Sequence, residues 1–229
     1  MSHPVPRLRA LGVSLLATAT LSACSLLPDR QPPERPGAGA GSSQTAVSRP
    51  EDQRCLANLG FTGARYAALP DKYYAPGCHA LGSVRLEALA GDKGSFDLAN
   101  LGPVACPLAG AFAGWARFGV DRAARQILGS PLARIETMGS YSCRNVAGSS
   151  RLSAHSRAEA IDVGAFVLAD GRRISVKDGW SGPSAQERDF LHSVHTSACK
   201  RFGTVLGPAY NTAHRDHLHV ELGDGRFCR

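Results

Sequence analysis

Six cysteines follow Cys24, at positions 55, 78, 106, 143, 199 and 228, and they constrain this chain more than any other residue type. An even set of thiols suits a disulfide framework, and such frameworks persist in oxidising compartments. The first residues supply a route to one. Arg7 and Arg9 precede the apolar stretch Leu11–Thr20, and Leu21-Ser22-Ala23 closes it with small residues. A basic start, a short apolar core and a small-residue cleavage site describe a secretory signal. The stretch falls short of the ~20 residues a spanning helix needs. No Cys-x-x-Cys pair occurs, so the cysteines read as structural and not as zinc ligands. Joining neighbours in sequence gives the expected bridges Cys55–Cys78, Cys106–Cys143 and Cys199–Cys228.

Cys24, directly after Leu21-Ser22-Ala23, resembles the bacterial lipobox. That resemblance implies removal of residues 1–23, diacylglycerol on the Cys24 thiol and acylation of the new amino terminus. Ser25 resembles the outer-membrane sorting pattern, so the implied site is a lipid anchor in the outer membrane, facing the periplasm. Residues 24–53 are rich in Pro, Gly, Ala and Ser. Such a stretch buries too little apolar surface to offset its ordering entropy, which makes it a flexible tether. Residues 54–229 remain as one domain of ordinary size. With 43% hydrophobic and 20% charged residues over the chain, a core is within reach.

Within that domain, apolar residues recur at helical spacing from Leu108 to Leu128, with Gly119 as a candidate bend. Ser184–Phe202 reads as a second helix, with Ser184 and Glu187 as a capping box and Gly203 as its stop. Arg134–Met138 alternates as a strand. Ala160–Leu168 and Arg173–Val176 form a hairpin about Asp170-Gly171, and Thr204–Leu206 and His217–Leu222 are further strands. The expected class is α+β, a small antiparallel sheet with helices packed against it.

The histidines carry the chemistry. His217 and His219 lie two apart on a strand, so their rings share one face while Leu218 points to the core. Asp162 sits in the apolar run Ala160-Ile161-Asp162-Val163, where an unpaired carboxylate is costly and needs an arginine, a hydroxyl or a cation. With His155 from the preceding loop, Asp162 and one strand histidine, the donor set is that of a catalytic metal with a position left for water. His192 and His195 fall on the second helix, where packing explains them. Ser197-Ala-Cys-Lys200 fits an acyl-serine motif, but its partner motifs are missing.

The pattern Ser153-x-His155-x6-Asp162 with a late His-x-His resembles the zinc peptidases that cleave peptidoglycan cross-links. These are the D-Ala-D-Ala carboxypeptidases, the penicillin-insensitive murein endopeptidases and the fold-related hedgehog signalling domain. Over 54–229 the chain is similar to the bacterial extensin-like C-terminal domain family. Cys106-Pro-Leu, Gly139-Ser-Tyr-Ser-Cys-Arg-Asn145, Asp170-Gly-Arg-Arg-Ile-Ser-Val176, Phe202-Gly-Thr-Val-Leu-Gly-Pro208 and Tyr210-Asn-x-x-His-Arg-Asp-His-x-His219 carry the match. The resemblance implies Zn2+ held by His155, Asp162 and His219. His217 would act as general base or stabilise the transition state, with His214 lining the site and Arg144 meeting an oxyanion or substrate carboxylate. Ala158 stands where these peptidases usually carry glycine. Their catalytic glutamate before the last histidine has no counterpart, which leaves Glu221 as an alternative base.

The implied activity is amide hydrolysis in peptidoglycan stem peptides or cross-links. A zinc-containing wall-binding module without turnover is the alternative. A net charge of +7 suits an anionic wall polymer as well as nucleic acid, but the arginines are scattered, without a basic block or aromatic signature, so no nucleic-acid partner is expected.

Overall fold

The computed structural model describes residues 49–229. The expected signal peptide 1–23, the lipidated Cys24 and residues 25–48 of the tether lie outside the described residues. Pro50–Phe61 is helical (α1), with proline at its first position and Glu51 and Asp52 in the first turn, where acidic side chains complement the helix dipole. Residues 50–53, which composition assigns to the tether, therefore belong to the folded unit. A proline that starts a helix looks the same in composition as one in a linker.

Six short strands follow: β1 (Arg65–Ala68), β2 (Lys72–Ala75), β3 (Cys78–Ala80), β4 (Ser83–Ala90), β5 (Ser95–Ala99) and β6 (Pro103–Ala105). After α2 (Cys106–Trp115) come β7 (Leu132–Gly139), β8 (Ala160–Leu168), β9 (Arg173–Ser175) and α3 (Val176–Gly179). The chain closes with α4 (Ala185–Cys199), β10 (Thr204–Leu206), β11 (Leu218–Glu221) and β12 (Phe227–Cys228). The described strands make a ten-stranded sheet in the order β1-β4-β5-β7-β8-β11-β10-β12, with β6 on β4, β9 on β8, and β2–β3 as a separate pair. Pairing is antiparallel except at β5–β7 and β10–β12. The class is α+β as expected, but the sheet is large, because residues 65–105 contribute a block of strands, all but β4 of five residues or fewer.

The helical run begins at Cys106 as α2 and widens into i→i+5 turns at Ala116–Asp121 and Ala124–Leu128. Gly119 lies inside this run, and a Cβ there would collide with the Ser197 hydroxyl, so the glycine permits close approach of α4. The core centres on Trp115, whose ring meets Phe112, Phe166 and Phe202. Its indole N–H donates to the Val194 carbonyl at 3.2 Å and the Ser197 hydroxyl at 3.0 Å. Ser197 is thus a packing residue and not a nucleophile.

Three disulfides join Cys55–Cys106, Cys78–Cys143 and Cys199–Cys228. The last pair is as expected. The expected Cys55–Cys78 and Cys106–Cys143 are incorrect, because α1 packs on α2 and β3 lies beside the segment after β7. Both true bridges cross between elements distant in sequence. Non-reducing peptide mapping should yield Cys55–Cys106 and Cys78–Cys143 fragments. Removing the second bridge as Cys78→Ser/Cys143→Ser should lower unfolding free energy by about 2–4 kcal/mol in a denaturant titration.

Candidate metal centre

β8 and β11 are neighbours, and their register sets Asp162 directly opposite His219. Ile161 and Val163 on one strand, and Leu218 and Val220 on the other, point into the hydrophobic core. The alternation of a strand therefore throws Asp162 and His219 together onto the opposite face. Past Asp162, Glu136 pairs with Ala165 and Thr137 with Val163, so Gly164 is an extra residue in β8. This bulge shifts the phase, which lets Phe166 and Leu168 also face the core while Asp162 keeps its aim.

His155 comes from the short 3-10 turn Ala154–Arg157, begun by Ser153, whose hydroxyl accepts from the His155 N–H. Ala158 ends this turn in the left-handed region, at φ 56°, a conformation that glycine adopts more readily. Its N–H donates to the His155 carbonyl, and its own carbonyl accepts from Ala105 N at 2.9 Å. The surrounding structure fixes that conformation and so returns the chain into β8 with His155 facing Asp162.

The three expected ligands meet. His155 Nε2 lies 3.1 Å from Asp162 Oδ2 and 3.2 Å from His219 Nδ1, and His219 Nδ1 lies 2.8 Å from Asp162 Oδ1. All three residues are buried, and their ligand atoms lie within 4.8 Å of one another. The Ser140 carbonyl only accepts, so His155 donates to it from Nδ1 and presents the Nε2 lone pair. His219 places Nε2 3.5 Å from the Glu221 carboxylate, which favours the proton there and turns Nδ1 inward. Two imidazole lone pairs and a carboxylate then converge on one point, and a cation or an added proton must lie among them.

Without a cation, the proton goes to His219. Burial opposes its charge, yet hydrogen bonds to Asp162 and Glu221 lift it to about 9. Burial alone would raise the Asp162 carboxyl, but the His155 and His219 imidazoles facing it outweigh burial and hold it far below the usual carboxylate range. A divalent cation fits the same donors in place of that proton.

His217, the residue before β11, brings Nε2 within 3.6 Å of Asp162 Oδ1 and donates from Nδ1 to Asp216 at 2.9 Å. Asp216 is the orienting partner that sequence reasoning did not assign; its signal is adjacency to a histidine. Glu221, the alternative base, faces His219 and serves it as an orienting carboxylate. His214 stands at the rim with its ring 5.1 Å from that of His217, and bonds Asn211 at 2.7 Å. Burial and the neighbouring His217 and His219 push it down to about 4, so it is neutral at pH 7. Arg144 reaches Asp162 at 3.7 Å and is half exposed. The Cys78–Cys143 bridge, adjacent in sequence, holds it there.

Arg144, His214, His217, His219 and Glu221 line a cleft of about 600 Å³. Elsewhere, His192 stacks on Trp180 and His195 bonds the Arg229 carbonyl, both away from the centre as expected. His195 also lies near Cys199 and Cys228, but their sulfurs are joined to each other and offer no thiolate. Extensin-like protein C-terminus is the family that matches, over residues 53–229. No curated protein and no solved structure matches.

Two outcomes follow from the proton arrangement. In cation-free protein, stability contributed by His219 is fully present below its unfolded value near 6.5 and lost as pH rises through about 9. Melting temperature of chelated protein should therefore fall over that interval, while cation-loaded protein, lacking the proton, should not follow. Glu221→Gln should weaken cation affinity by about 10–100-fold in a competition titration, with the fold retained.

Proposed function

The chain belongs to the extensin-like C-terminal protein family, and on that footing we propose that its domain is a zinc-dependent peptidase. It hydrolyses amide bonds in peptidoglycan stem peptides or cross-links, outside the cytoplasm and tethered through Cys24. The observation that carries this reading is the convergence of His155 Nε2, His219 Nδ1 and Asp162, buried beside a cleft that His217 and His219 line. Two imidazoles and one carboxylate suit zinc among the common metals. Kinship with the zinc D-Ala-D-Ala carboxypeptidases and the hedgehog domain, and outer-membrane placement facing the periplasm, belong to the same proposal. They rest on the motifs and on the Leu21-Ser22-Ala23-Cys24-Ser25 signal.

His155, Asp162 and His219 would hold the ion, which when bound supplies Lewis acidity to a water and to the scissile carbonyl. His217 takes the proton at Nε2, because Asp216 fixes Nδ1 as the protonated nitrogen and steadies the imidazolium that forms. Arg144, half exposed at the rim, brings its guanidinium to the charge developing on the carbonyl oxygen. Neutral His214, its Nδ1 proton given to the Asn211 side-chain oxygen, lines the rim without adding positive charge.

Purified peptidoglycan incubated with the zinc-loaded protein should release new amino termini. His217→Ala should slow that release about 10²–10⁴-fold while keeping the metal. Asp162→Ala should abolish it together with the metal. Binding of peptidoglycan without release by the zinc-loaded wild type would make the domain a wall-binding module instead.

A further inference from the structure

The Cys199–Cys228 bridge has a histidine beside it that the candidate centre does not use. His195 and Cys199 lie one turn apart on α4 and share a helix face, and Cys228 reaches the same spot from β12. His195 Nδ1 lies 3.9 Å from Cys199 Sγ, and one donor atom from each of the three residues falls within 4.8 Å of the others. Both cysteines of this bridge are half-buried, whereas each of the other two bridges contains a cysteine sealed in the core, Cys78 or Cys106. An incoming thiol can therefore approach this bridge from either end.

The tautomer of His195 is fixed. The Arg229 carbonyl, 3.2 Å from Nε2, only accepts, so Nε2 carries the proton and the Nδ1 lone pair faces the sulfurs. A disulfide sulfur has no proton to offer that lone pair. Metal-binding imidazoles are set in the same way, with the other nitrogen donating to a backbone carbonyl.

The three residues keep their places without the S–S bond. Phe227 N donates to the Gly203 carbonyl at 2.9 Å and Arg229 N to the Val205 carbonyl at 3.0 Å, so backbone bonds hold Cys228 against β10. Gly207 N donates to the Arg229 carbonyl at 2.8 Å and pins the group that orients His195. Cys199 is fixed by α4, where its neighbour Ala198 is buried in the core. The two Cα atoms are 5.7 Å apart. Zinc held tetrahedrally by two sulfurs at about 2.3 Å sets them roughly 3.8 Å from each other, a spacing that side-chain rotation reaches from there.

We propose that thiol–disulfide exchange at Cys199–Cys228 opens a second metal site, in which both thiolates and His195 Nδ1 bind Zn2+ and one position is left for water. The exchange needs a dithiol. One of its thiolates attacks a bridge sulfur and the S–S bond breaks. Its second thiol then displaces the first, which leaves the dithiol as a disulfide and the chain with two S–H groups. Zinc replaces those two protons, which pass to water. The site is closed in the oxidised chain and stands independently of the peptidase reading.

The test uses the full chain carrying Asp162→Ala, which removes the first centre, and Co2+ as the probe, because cobalt thiolates absorb in the near ultraviolet. After reduction with dithiothreitol and its removal without air, the chain should bind about one Co2+ with that band, and Zn2+ should displace it. The unreduced chain should show no band. Cys199→Ser/Cys228→Ser, which keeps every other cysteine, should abolish it. Loss of an orienting partner alone weakens a metal site about 10–100-fold, so His195→Ala should bind cobalt at least ~10-fold more weakly. A band that survives the double substitution, equal affinity without His195, cobalt that zinc does not displace, or no band in the reduced chain would overturn the proposal. So would loss of the near-ultraviolet circular dichroism on reduction, because the site needs β12 to stay paired.

Discussion

One buried carboxylate organises this domain. Asp162 lies in a strand whose neighbours on either side belong to the hydrophobic core, and an ionised group there is tolerated only when its lone pairs are met. The β8–β11 register sets His219 against it, and the 3-10 turn before β8 brings His155. The Gly164 bulge lets the rest of β8 return to the core without turning Asp162 away. Each of these features would be an unexplained irregularity in a purely structural sheet. Together they build a buried cluster of converging lone pairs.

The disulfides extend that logic to the cleft walls. Cys78–Cys143 fixes the residue next to Arg144, Cys199–Cys228 ties the end of β12 beside Phe227, and Cys55–Cys106 ties α1 to the start of α2. The sheet supplies the floor through backbone pairing. The walls come from short or irregular segments that gain little from secondary structure, and covalent closure limits their freedom. Broken walls with an intact floor would leave the ligands in place and lose the groups that recognise a substrate.

Much of the centre was legible in sequence because it depends on local spacing. His-x-His on a strand, a carboxylate in an apolar run and the Asp170-Gly171 hairpin are period and turn signals, and the structure brings His155, Asp162, His217 and His219 together as they imply. The Ser184 cap of α4 was legible for the same reason. What stayed hidden depends on long-range packing. All of strands β1 to β6 but β4 are short, and β2 is exposed along its whole length, so no alternation marks it. The Cys55 and Cys78 partners depend on which elements dock. The roles of Asp216 and Glu221 depend on which nitrogen of each histidine faces inward, a matter of ring orientation that no spacing reveals.

The central claim is that His155, Asp162 and His219 hold a metal ion, and elemental mass spectrometry of the purified chain tests it most directly. Wild type and His217→Ala should each carry about one zinc per chain, and single alanine substitutions of the three ligands should each lose it while remaining folded. Absence of zinc from the wild type, with no uptake on titration, would contradict the account. The Asp162 cluster would then be a protonated histidine–carboxylate network, with His219 carrying the charge.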